Sequence, residues 1–316
     1  MRAVRLVPSP RGISLVEETV AKPQPTKGEV LIEVYAAGVT PSELEWYPSS
    51  HTKDGGQRER AVPTHEFSGV IAAVGEGVDG VEVGQAVYGL NDWYSDGALA
   101  EYCLTQPANI APKPRRLTHI ESASVPIGAL TAWQGLFDHA NLQPRERVLV
   151  HGGAGGVGVF AVQLARFRGA HVVATASSVN VDFVRQLGAD EVIDYRAARF
   201  EDHAKGVDVV FDTVGGDTAE RSWALLNPRG RLVTIAAGVA PTSDERLKRA
   251  FFIVEPNRDQ LVKIADLMDA GRIRPVVETV LAFADAATAY QRVDGKRPHR
   301  GKVVIAVAPQ HRVVQA

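Results

Sequence analysis

The chain carries two different patterns of apolar and polar residues, which meet near residue 115. Before that point, short alternating stretches are separated by glycines, and they cover 30–37, 70–75 and 81–89. Short strands joined by turns in this way predict a small β-barrel. After it, apolar runs of strand length alternate with residues at helical spacing, which predicts an α/β fold with a doubly wound parallel sheet.

The end of the chain returns to the first pattern. Residues 272–316 are strand-like and include the stretch 302–307, in which five apolar residues follow Lys302. We therefore expect one domain to be built from 1–115 and 272–316, and a second domain from 116–271. Because small-molecule sites tend to lie between domains, the cleft between the two is the expected active site.

The second domain contains five apolar runs of strand length and a candidate sixth, at 148–150, 171–175, 191–194, 207–211, 231–235 and 251–254. Helices are expected at 157–165, 181–187 and 259–270. In a parallel sheet, the loops at the carboxyl ends of the strands line one crevice. The residues just after these runs are therefore candidates for ligand contacts.

The glycines after the first of these runs have the spacing of a dinucleotide site. Gly153, Gly155 and Gly158 fit G-x-G-x-x-G between a strand and a helix, and Gly156 and Val157 lie in the same loop. One glycine permits a tight turn, one lets the backbone approach a pyrophosphate, and one lets helix and strand pack closely. The helix N-terminus adds N–H donors and the positive end of the helix dipole.

Charge and cysteine content narrow the class of protein. Lys and Arg total 35 against 37 Asp and Glu, a net charge of −2, so no broad basic surface for nucleic acid is expected. The single cysteine, Cys103, excludes an internal disulfide and a four-cysteine zinc lobe. No apolar run reaches the ~18 residues of a membrane span, and Pro8 interrupts the start too early for a signal peptide. We expect a cytoplasmic protein whose partner is a small molecule, not nucleic acid or a membrane.

Three segments carry a family resemblance: HEFSGVIAAVGEGVDGVEVGQAVYG (65–89), LTAWQGLFDHANLQPRERVLVHGGAGGVG (130–158) and LGADEVIDY (187–195). Together they resemble the medium-chain dehydrogenase/reductase superfamily, and more narrowly its zinc-free quinone oxidoreductase, or zeta-crystallin-like, branch. The resemblance implies a GroES-like β-barrel domain, a Rossmann domain and a homodimer. It also implies hydride transfer from a nicotinamide cofactor to a quinone or an α,β-unsaturated carbonyl.

The end of the second strand bears on the choice between NADPH and NADH. NAD sites usually place Asp or Glu there, whereas this chain has Ser177 and Ser178, which can donate hydrogen bonds to a 2′-phosphate. The two serines also suit an ordinary helix N-cap, and Val and Asn follow them where similar proteins often carry Arg or Lys. The resemblance further places Tyr195 and Lys302 near the adenosine phosphate. NADPH is the expected cofactor.

Further cofactor contacts are expected from the family resemblance and from the strand ends. One residue matches a family position near the phosphates and the nicotinamide, and others follow the fourth and fifth strands. A third set lies in a segment that resembles the family's stretch beside the nicotinamide and at the dimer interface. These contacts are, in that order, Thr131, then Val214, Ala236, Ala237 and Gly238, then Phe252 and Val254.

The first domain lacks the zinc ligands of the superfamily's alcohol dehydrogenases. Thr40 stands where those enzymes have Cys, and Thr64 replaces the Gly of their Gly-His-Glu. A catalytic zinc needs about three protein ligands, which His65 and Glu66 alone do not provide. We expect no metal, and we expect these two residues to form a hydrogen-bonded pair at the floor of the cleft. Cys103 is expected to be a buried small hydrophobe.

The candidates for catalysis are Thr40 and Tyr47. An enolate oxygen that develops during hydride transfer needs a hydrogen-bond donor. Thr40 falls where relatives often carry an Asn near the substrate, and Tyr47 is either a proton donor or a packing aromatic. Three alternatives stay open: a zinc-type alcohol dehydrogenase, an NADPH-binding protein without catalysis, and an enoyl reductase that acts on acyl thioesters.

Overall fold

The computed structural model describes residues 1–9, 12–236, 244–290 and 299–308. The described strands are β1 (Arg2–Ser9), β2 (Gly12–Thr19), β3 (Val30–Val39), β4 (Glu66–Val74), β5 (Ala86–Leu90), β6 (Tyr102–Thr105), β7 (Ile110–Pro112), β8 (Arg147–Val150), β9 (His171–Ala176), β10 (Glu191–Asp194), β11 (Val207–Asp212), β12 (Leu226–Thr234), β13 (Val277–Ala282) and β14 (Lys302–Ala306). The described α-helices are α1 (Tyr47–Ser50), α2 (His119–Ala123), α3 (Pro126–Trp133), α4 (Gly158–Arg168), α5 (Val181–Gln186), α6 (Asp217–Ser222), α7 (Glu245–Ala250), α8 (Arg258–Asp269) and α9 (Ala286–Tyr290). Within these ranges, no helix combines the length and apolar character needed to cross a membrane.

Strands from both parts of the chain that share the first pattern form one seven-stranded sheet. Its order is β13-β14-β3-β4-β5-β7, and β6 also pairs with β3. β14 lies antiparallel to β3 with Ile305 opposite Ala37, so the late strand joins the sheet built by the early ones. The expected strands are confirmed, although the stretch 81–89 becomes a strand only at Ala86, because Gly84 takes a φ of 89° and turns the chain.

Five further strands form a wholly parallel sheet in the order β10-β9-β8-β11-β12. The two faces of this sheet are buried in different apolar clusters: Val148 and Val150 lie in one, and Leu149 between them lies in the other. A strand covered on both faces is apolar throughout, which explains the continuous runs in the sequence. The strand order reverses between β8 and β11, so the loops after these two strands face one crevice. The doubly wound sheet is thus confirmed.

The candidate sixth strand, 251–254, is not a strand. Phe251 makes an isolated parallel bridge to Thr234 of β12. Beyond it the chain leaves the sheet, and the carbonyl of Val254 accepts a hydrogen bond from Trp93 Nε1 at 2.9 Å. The prediction of a strand here was wrong because the apolar run makes contact across the cleft instead of extending the sheet.

The two sheets meet at the carboxyl end of β8. Gly301, just before β14, donates its N–H to Ala154 O at 2.9 Å and forms a parallel bridge with Gly155. Gly301 has a φ of 71°, and a Cβ there would lie 2.0 Å from Val276 O, so this position requires glycine. The glycine-rich loop is therefore held by its own sheet on one side and by the entry to β14 on the other.

Candidate functional site

The glycine loop begins directly after β8 and folds tightly on itself. A Cβ at Gly158 would lie 2.0 Å from Gly152 O, and a Cβ at Gly128 of α3 would lie 2.4 Å from Gly156 O. Helix, strand and loop approach this closely only because side chains are absent. A Cβ at Gly155 would meet, among the described atoms, only Gly152 O at 3.4 Å, so the loop is open on that side.

The start of α4 faces this loop. Val157 is its N-cap residue, and no side chain in the described part of the chain caps it. The first turn of an α-helix has N–H groups without carbonyl partners, so this end offers donors and a positive dipole to phosphate. Thr131 is buried on α3, which packs on α4, and its hydroxyl donates to Ile127 O at 2.6 Å. The loop and helix end fit the pyrophosphate of a dinucleotide.

The loop after β11 presents Val214 to the same crevice. The buried Asp212 carboxylate accepts hydrogen bonds from the N–H of Val214 at 3.0 Å and from the Thr234 hydroxyl at 2.7 Å. Thr213 anchors the loop from the other side by donating to His151 O at 2.7 Å. As a result, Val214 is 54% exposed, and its Cγ2 lies 3.5 Å from where a Cβ on Gly152 would stand.

The described residues expected to contact the cofactor after β12 are less exposed than Val214. Ala236 donates its N–H to the Thr234 hydroxyl at 3.1 Å, whereas Ala237 and Gly238 lie outside the described residues. Phe252 is buried, with its ring stacked on His139 at a centroid distance of 4.4 Å. Val254 is buried as well and contributes its carbonyl to the bond with Trp93 already described.

Ser177 and Ser178 follow β9, as expected, and Ser178 hydrogen-bonds an acidic side chain. The Ser177 hydroxyl accepts a hydrogen bond from Asn180 Nδ2 at 3.2 Å. The Ser178 hydroxyl hydrogen-bonds Asp194, and this bond is the main cause that lowers the pKa of that carboxyl. Ser178 is therefore engaged by a carboxylate from the end of the third strand. Tyr195, the next residue, is 53% exposed.

Arg300 brings a cation to the same turn. Its Nε donates to Asn180 Oδ1 at 2.8 Å, and its Nη2 donates to Val179 O at 2.9 Å. Sequence reasoning missed this residue because 120 positions separate it from Asn180. The local sequence carries no signal for the contact, which depends on the position of β14 beside the parallel sheet.

The structure brings Lys302, Thr40 and Glu66 together. Lys302 Nζ lies 2.6 Å from Glu66 Oε1 and 3.0 Å from Thr40 Oγ1. Burial raises the pKa of Glu66 above its usual value of 4.5, and the positive charge of Lys302 opposes that shift. A Cβ on Gly156 would lie 3.5 Å from Lys302 Cε. Lys302 therefore stands between the glycine loop and Thr40, while Arg300 stands at the serine turn.

His65 and Glu66 do not pair with each other, contrary to the expectation. His65 Nδ1 lies 2.6 Å from Glu43 Oε1, and His65 Nε2 lies 3.2 Å from Ser95 O. Successive side chains of an extended chain point to opposite sides, which directs His65 to Glu43 and Glu66 to Lys302. Glu43 is fully buried and was missed because 22 residues separate it from His65.

Tyr47 lies apart from this group. It is 53% exposed and stacks on His51 with a centroid distance of 4.2 Å. The aromatic wall beside His65 is formed instead by Trp93, whose ring lies 5.2 Å from the imidazole and 5.2 Å from Trp46. Of the two catalytic candidates, Thr40 is the one that the structure places beside the glycine loop.

A metal site was not expected, and the described residues contain no group of three or more His, Cys, Asp or Glu side chains that could hold an ion. Cys103 is buried in β6, and burial raises the pKa of its thiol to about 12. The thiolate is the form of cysteine that attacks substrates and binds metals. Cys103 at neutral pH is therefore a buried thiol, in keeping with the expected hydrophobe.

Comparisons with known proteins agree with this architecture. Residues 26–115 match the alcohol dehydrogenase GroES-like domain, and residues 187–305 match the zinc-binding dehydrogenase family. The chain is 30% identical to the mitochondrial NAD(P)H oxidoreductase RTN4IP1 of Danio rerio, over 88% of this chain and 84% of that protein. It is 32% identical to 2-methylene-furan-3-one reductase of Solanum lycopersicum, over 93% of this chain and 76% of that protein. The structure of the quinone oxidoreductase from Coxiella burnetii superposes with a TM-score of 0.85 at 28% identity, covering 98% of this chain and 99% of the other. The chain belongs to the medium-chain dehydrogenase/reductase superfamily.

Proposed function

We propose that this protein is a zinc-independent, NADPH-dependent oxidoreductase that transfers a hydride to a quinone or an α,β-unsaturated carbonyl. The observation that carries the proposal is the glycine loop at the start of α4, closed on one side by Gly301 and Lys302 and faced by Val214. Its similarity to an NAD(P)H oxidoreductase, an enone reductase and a quinone oxidoreductase supports the reaction class.

The proposal assigns roles to the chain's residues. The glycine loop and the N-terminus of α4 hold the pyrophosphate, while Thr131, Val214, Ala236, Phe252 and Val254 border the nicotinamide half of the cofactor. A bound nicotinamide supplies the hydride. The protein's own contribution is to position that donor against the acceptor and to keep water out of the cleft.

Thr40 is the proposed donor to the acceptor's oxygen. Its Oγ1 accepts a hydrogen bond from Lys302 Nζ, so its own O–H remains available to donate. When a hydride adds to the β-carbon of an enone, negative charge develops on the carbonyl oxygen, and a donor placed there stabilises it. Solvent then protonates the enolate. Tyr47, exposed and stacked on His51, is the weaker candidate for the same role.

Zinc independence is supported by the identity of Thr40 and by the contacts of His65 and Glu66. Thr40 replaces the Cys ligand, and His65 and Glu66 are engaged with Glu43 and Lys302. A zinc site needs about three ligands that converge on one point, and these side chains diverge.

The preference for NADPH rests on the turn after β9. Ser177 is a hydrogen-bonding neighbour for a 2′-phosphate, whereas Ser178 is bonded to Asp194. Arg300 supplies the cation that the sequence lacked at this position. Arginine suits phosphate because its planar fork of donors matches the phosphate oxygens. Tyr195 flanks the same turn through its N–H, which donates to Ala176 O at 3.2 Å.

The reaction is tested by following the absorbance of NADPH, and separately NADH, after 1,4-benzoquinone or an enone is added, with and without a metal chelator. We expect oxidation that resists the chelator and favours NADPH. Chelator-sensitive oxidation of alcohols, or tight NADPH binding without reduction of any quinone or enone, would contradict the proposal.

The cofactor preference is tested with Arg300→Met. Loss of a charged hydrogen bond of this kind costs about 1.5–3 kcal/mol, so the Kd for NADPH should rise by about ten- to a hundredfold while the Kd for NADH stays nearly constant. Arg115→Met is the matched control, since that side chain is 90% exposed and pairs with Asp269. Equal losses for NADPH and NADH would show that Arg300 does not contact a 2′-phosphate.

A further inference from the structure

His151 is a buried titratable residue that takes no part in the proposed reaction. It directly follows β8, is 1% exposed and precedes Gly152, the first glycine of the loop. Its ring packs edge to face against Phe200 at a centroid distance of 4.7 Å, and Phe200 belongs to the same apolar cluster as Leu149. A polar ring beside such a cluster costs free energy unless its nitrogens are hydrogen-bonded. Both nitrogens of His151 are bonded, and their partners lie on two different elements.

The bond at Nε2 fixes which nitrogen of the ring carries the proton. His151 Nε2 lies 2.9 Å from Ser222 Oγ at the end of α6. The Ser222 hydroxyl donates to Thr218 O at 2.6 Å. A carbonyl oxygen only accepts, so the single hydroxyl proton of Ser222 is committed to it. The contact with His151 therefore requires the proton to be on Nε2.

The ring of His151 carries this one proton and no second one at neutral pH. Burial lowers the pKa of His151 from 6.5 to about 4. The negative charges of Asp212 and Glu201 oppose this shift, while the positive charge of Arg221 adds to it. A neutral imidazole that is protonated on Nε2 has a lone pair on Nδ1, so Nδ1 acts as an acceptor.

The acceptor nitrogen faces Thr175 of β9. Nδ1 lies 3.3 Å from Thr175 Oγ1, and Gly152 donates its N–H to the same oxygen at 3.1 Å. Because Nδ1 accepts, the Thr175 hydroxyl donates to it and keeps a lone pair for Gly152. The carbonyl of Thr175 accepts the next amide, that of Gly153, at 2.9 Å. Thr175 thus holds the first two amides of the glycine loop, and His151 orients its hydroxyl.

We propose that His151 is a positioning residue of the cofactor site, in its neutral form with the proton on Nε2. Ser222 selects this form, Nδ1 orients the Thr175 hydroxyl, and that hydroxyl fixes Gly152 at the start of the glycine loop. The loop is then held in one conformation before the cofactor arrives, so less binding free energy is lost in ordering it. The proposal rests on the proposed function only in taking this loop as the pyrophosphate site.

The form of the ring is tested by ¹⁵N NMR of the full chain at pH 7 without cofactor. We expect Nε2 to give the resonance of a protonated ring nitrogen and Nδ1 that of an unprotonated one. We also expect the amide of Gly152 to exchange its hydrogen slowly. A proton on Nδ1 of His151 would overturn the proposal, because Nδ1 could then not accept from Thr175.

Two variants with the same branched shape separate positioning from packing. His151→Asn brings an amide oxygen to the place of Nδ1, whereas His151→Leu has no acceptor there. Both side chains are shorter than imidazole and lose the contact with Ser222, so that loss is common to the pair. In fluorescence titrations the Kd for NADPH should stay within about threefold of wild type in His151→Asn and rise at least about tenfold in His151→Leu. Equal Kd values in the two variants would refute a positioning role.

Thr175→Val and Thr175→Ser repeat the comparison without changing the buried ring. Valine has the shape of threonine without its hydroxyl, and serine keeps the hydroxyl. Thr175→Val should raise the Kd for NADPH at least about fivefold and speed the exchange of the Gly152 amide, whereas Thr175→Ser should remain within about threefold of wild type. Equal affinities in this pair would contradict the proposal. Wild-type protein that binds no NADPH would instead defeat the proposed function, and the ring resonances and the Gly152 exchange rates would still test the role of His151.

Discussion

Lys302 shows how much one residue contributes to this site. Its ammonium group neutralises the fully buried Glu66, supports the Thr40 hydroxyl and borders Gly156. The resemblance to a family singled out Lys302 and Thr40 from the sequence. It did not indicate the ion pair with Glu66, because that contact spans the two ends of the chain.

Lys302→Met should destabilise the fold in a pH-dependent way. Removing one partner of a buried ion pair costs about 3–5 kcal/mol, because the remaining charge is uncompensated. The pKa of Glu66 is already raised, and losing Lys302 raises it further. A buried acid with a raised pKa favours folding below its unfolded pKa and loses that contribution as the pH rises through its folded pKa. The loss of stability in urea should therefore be large at pH 8 and smaller at pH 5.

Lys302→Met combined with Glu66→Gln is the control for this prediction. The second change removes the stranded charge, so the double variant should be more stable than Lys302→Met at pH 8. A loss of stability that is equal at pH 5 and pH 8 would show that Glu66 does not respond to the lysine.

The inner strands β8, β9 and β11 of the parallel sheet were predictable because their apolar residues are buried on both faces of the sheet. The glycine loop was predictable because its spacing is local. The segment 251–254 was not, because its apolar residues contact Trp93 and His139 instead of a neighbouring strand. Arg300 and Glu43 were not predicted as site residues for the same reason, because their contacts depend on tertiary structure and not on neighbours in sequence.

Two glycines of the loop should respond in opposite ways to substitution. Gly155→Val should fold with nearly the wild-type unfolding midpoint, since a Cβ there meets only Gly152 O at 3.4 Å in the described structure. Its branched side chain should nevertheless weaken NADPH binding about tenfold or more by blocking the approach of the pyrophosphate. Gly158→Ala should lower stability by about 1–3 kcal/mol, because its Cβ would overlap Gly152 O.

Thermal unfolding and fluorescence titration with NADPH, carried out on both variants, separate the two effects. Full NADPH affinity in Gly155→Val would show that the pyrophosphate lies elsewhere. An unchanged unfolding midpoint in Gly158→Ala would contradict the close packing of α4 on the loop.

At the scale of the whole molecule, polar contacts join the seven-stranded sheet to α8. The Tyr88 hydroxyl of β5 donates to Leu261 O of α8 at 2.6 Å, and Arg258 of α8 donates to Ile110 O at 2.7 Å. Burial raises the pKa of Tyr88 well above its usual value, so its hydroxyl stays protonated and remains a donor. The alternation of patterns along the sequence predicted both sheets, but not these contacts with α8.

Tyr88→Phe should lower the free energy of unfolding by about 1–2 kcal/mol, since Leu261 O loses its donor in a buried setting. Because this contact joins the seven-stranded sheet to α8, unfolding monitored by circular dichroism and by tryptophan fluorescence should remain a single transition. Tyr102→Phe is a suitable control, as that ring is only partly buried and packs beneath Lys22. A stability equal to that of wild type would mean that the contact contributes nothing across the interface.

The hydrogen bond from Gly301 to Ala154 has a consequence for the order in which the protein matures. Ala154 lies in the loop after β8, whereas Gly301 lies far later in the chain, just before β14. The strands of the parallel sheet can therefore pair while one side of the glycine loop is still without this support. The loop gains this last contact only when β14 takes its place in the seven-stranded sheet, so the folding of that sheet completes the glycine loop.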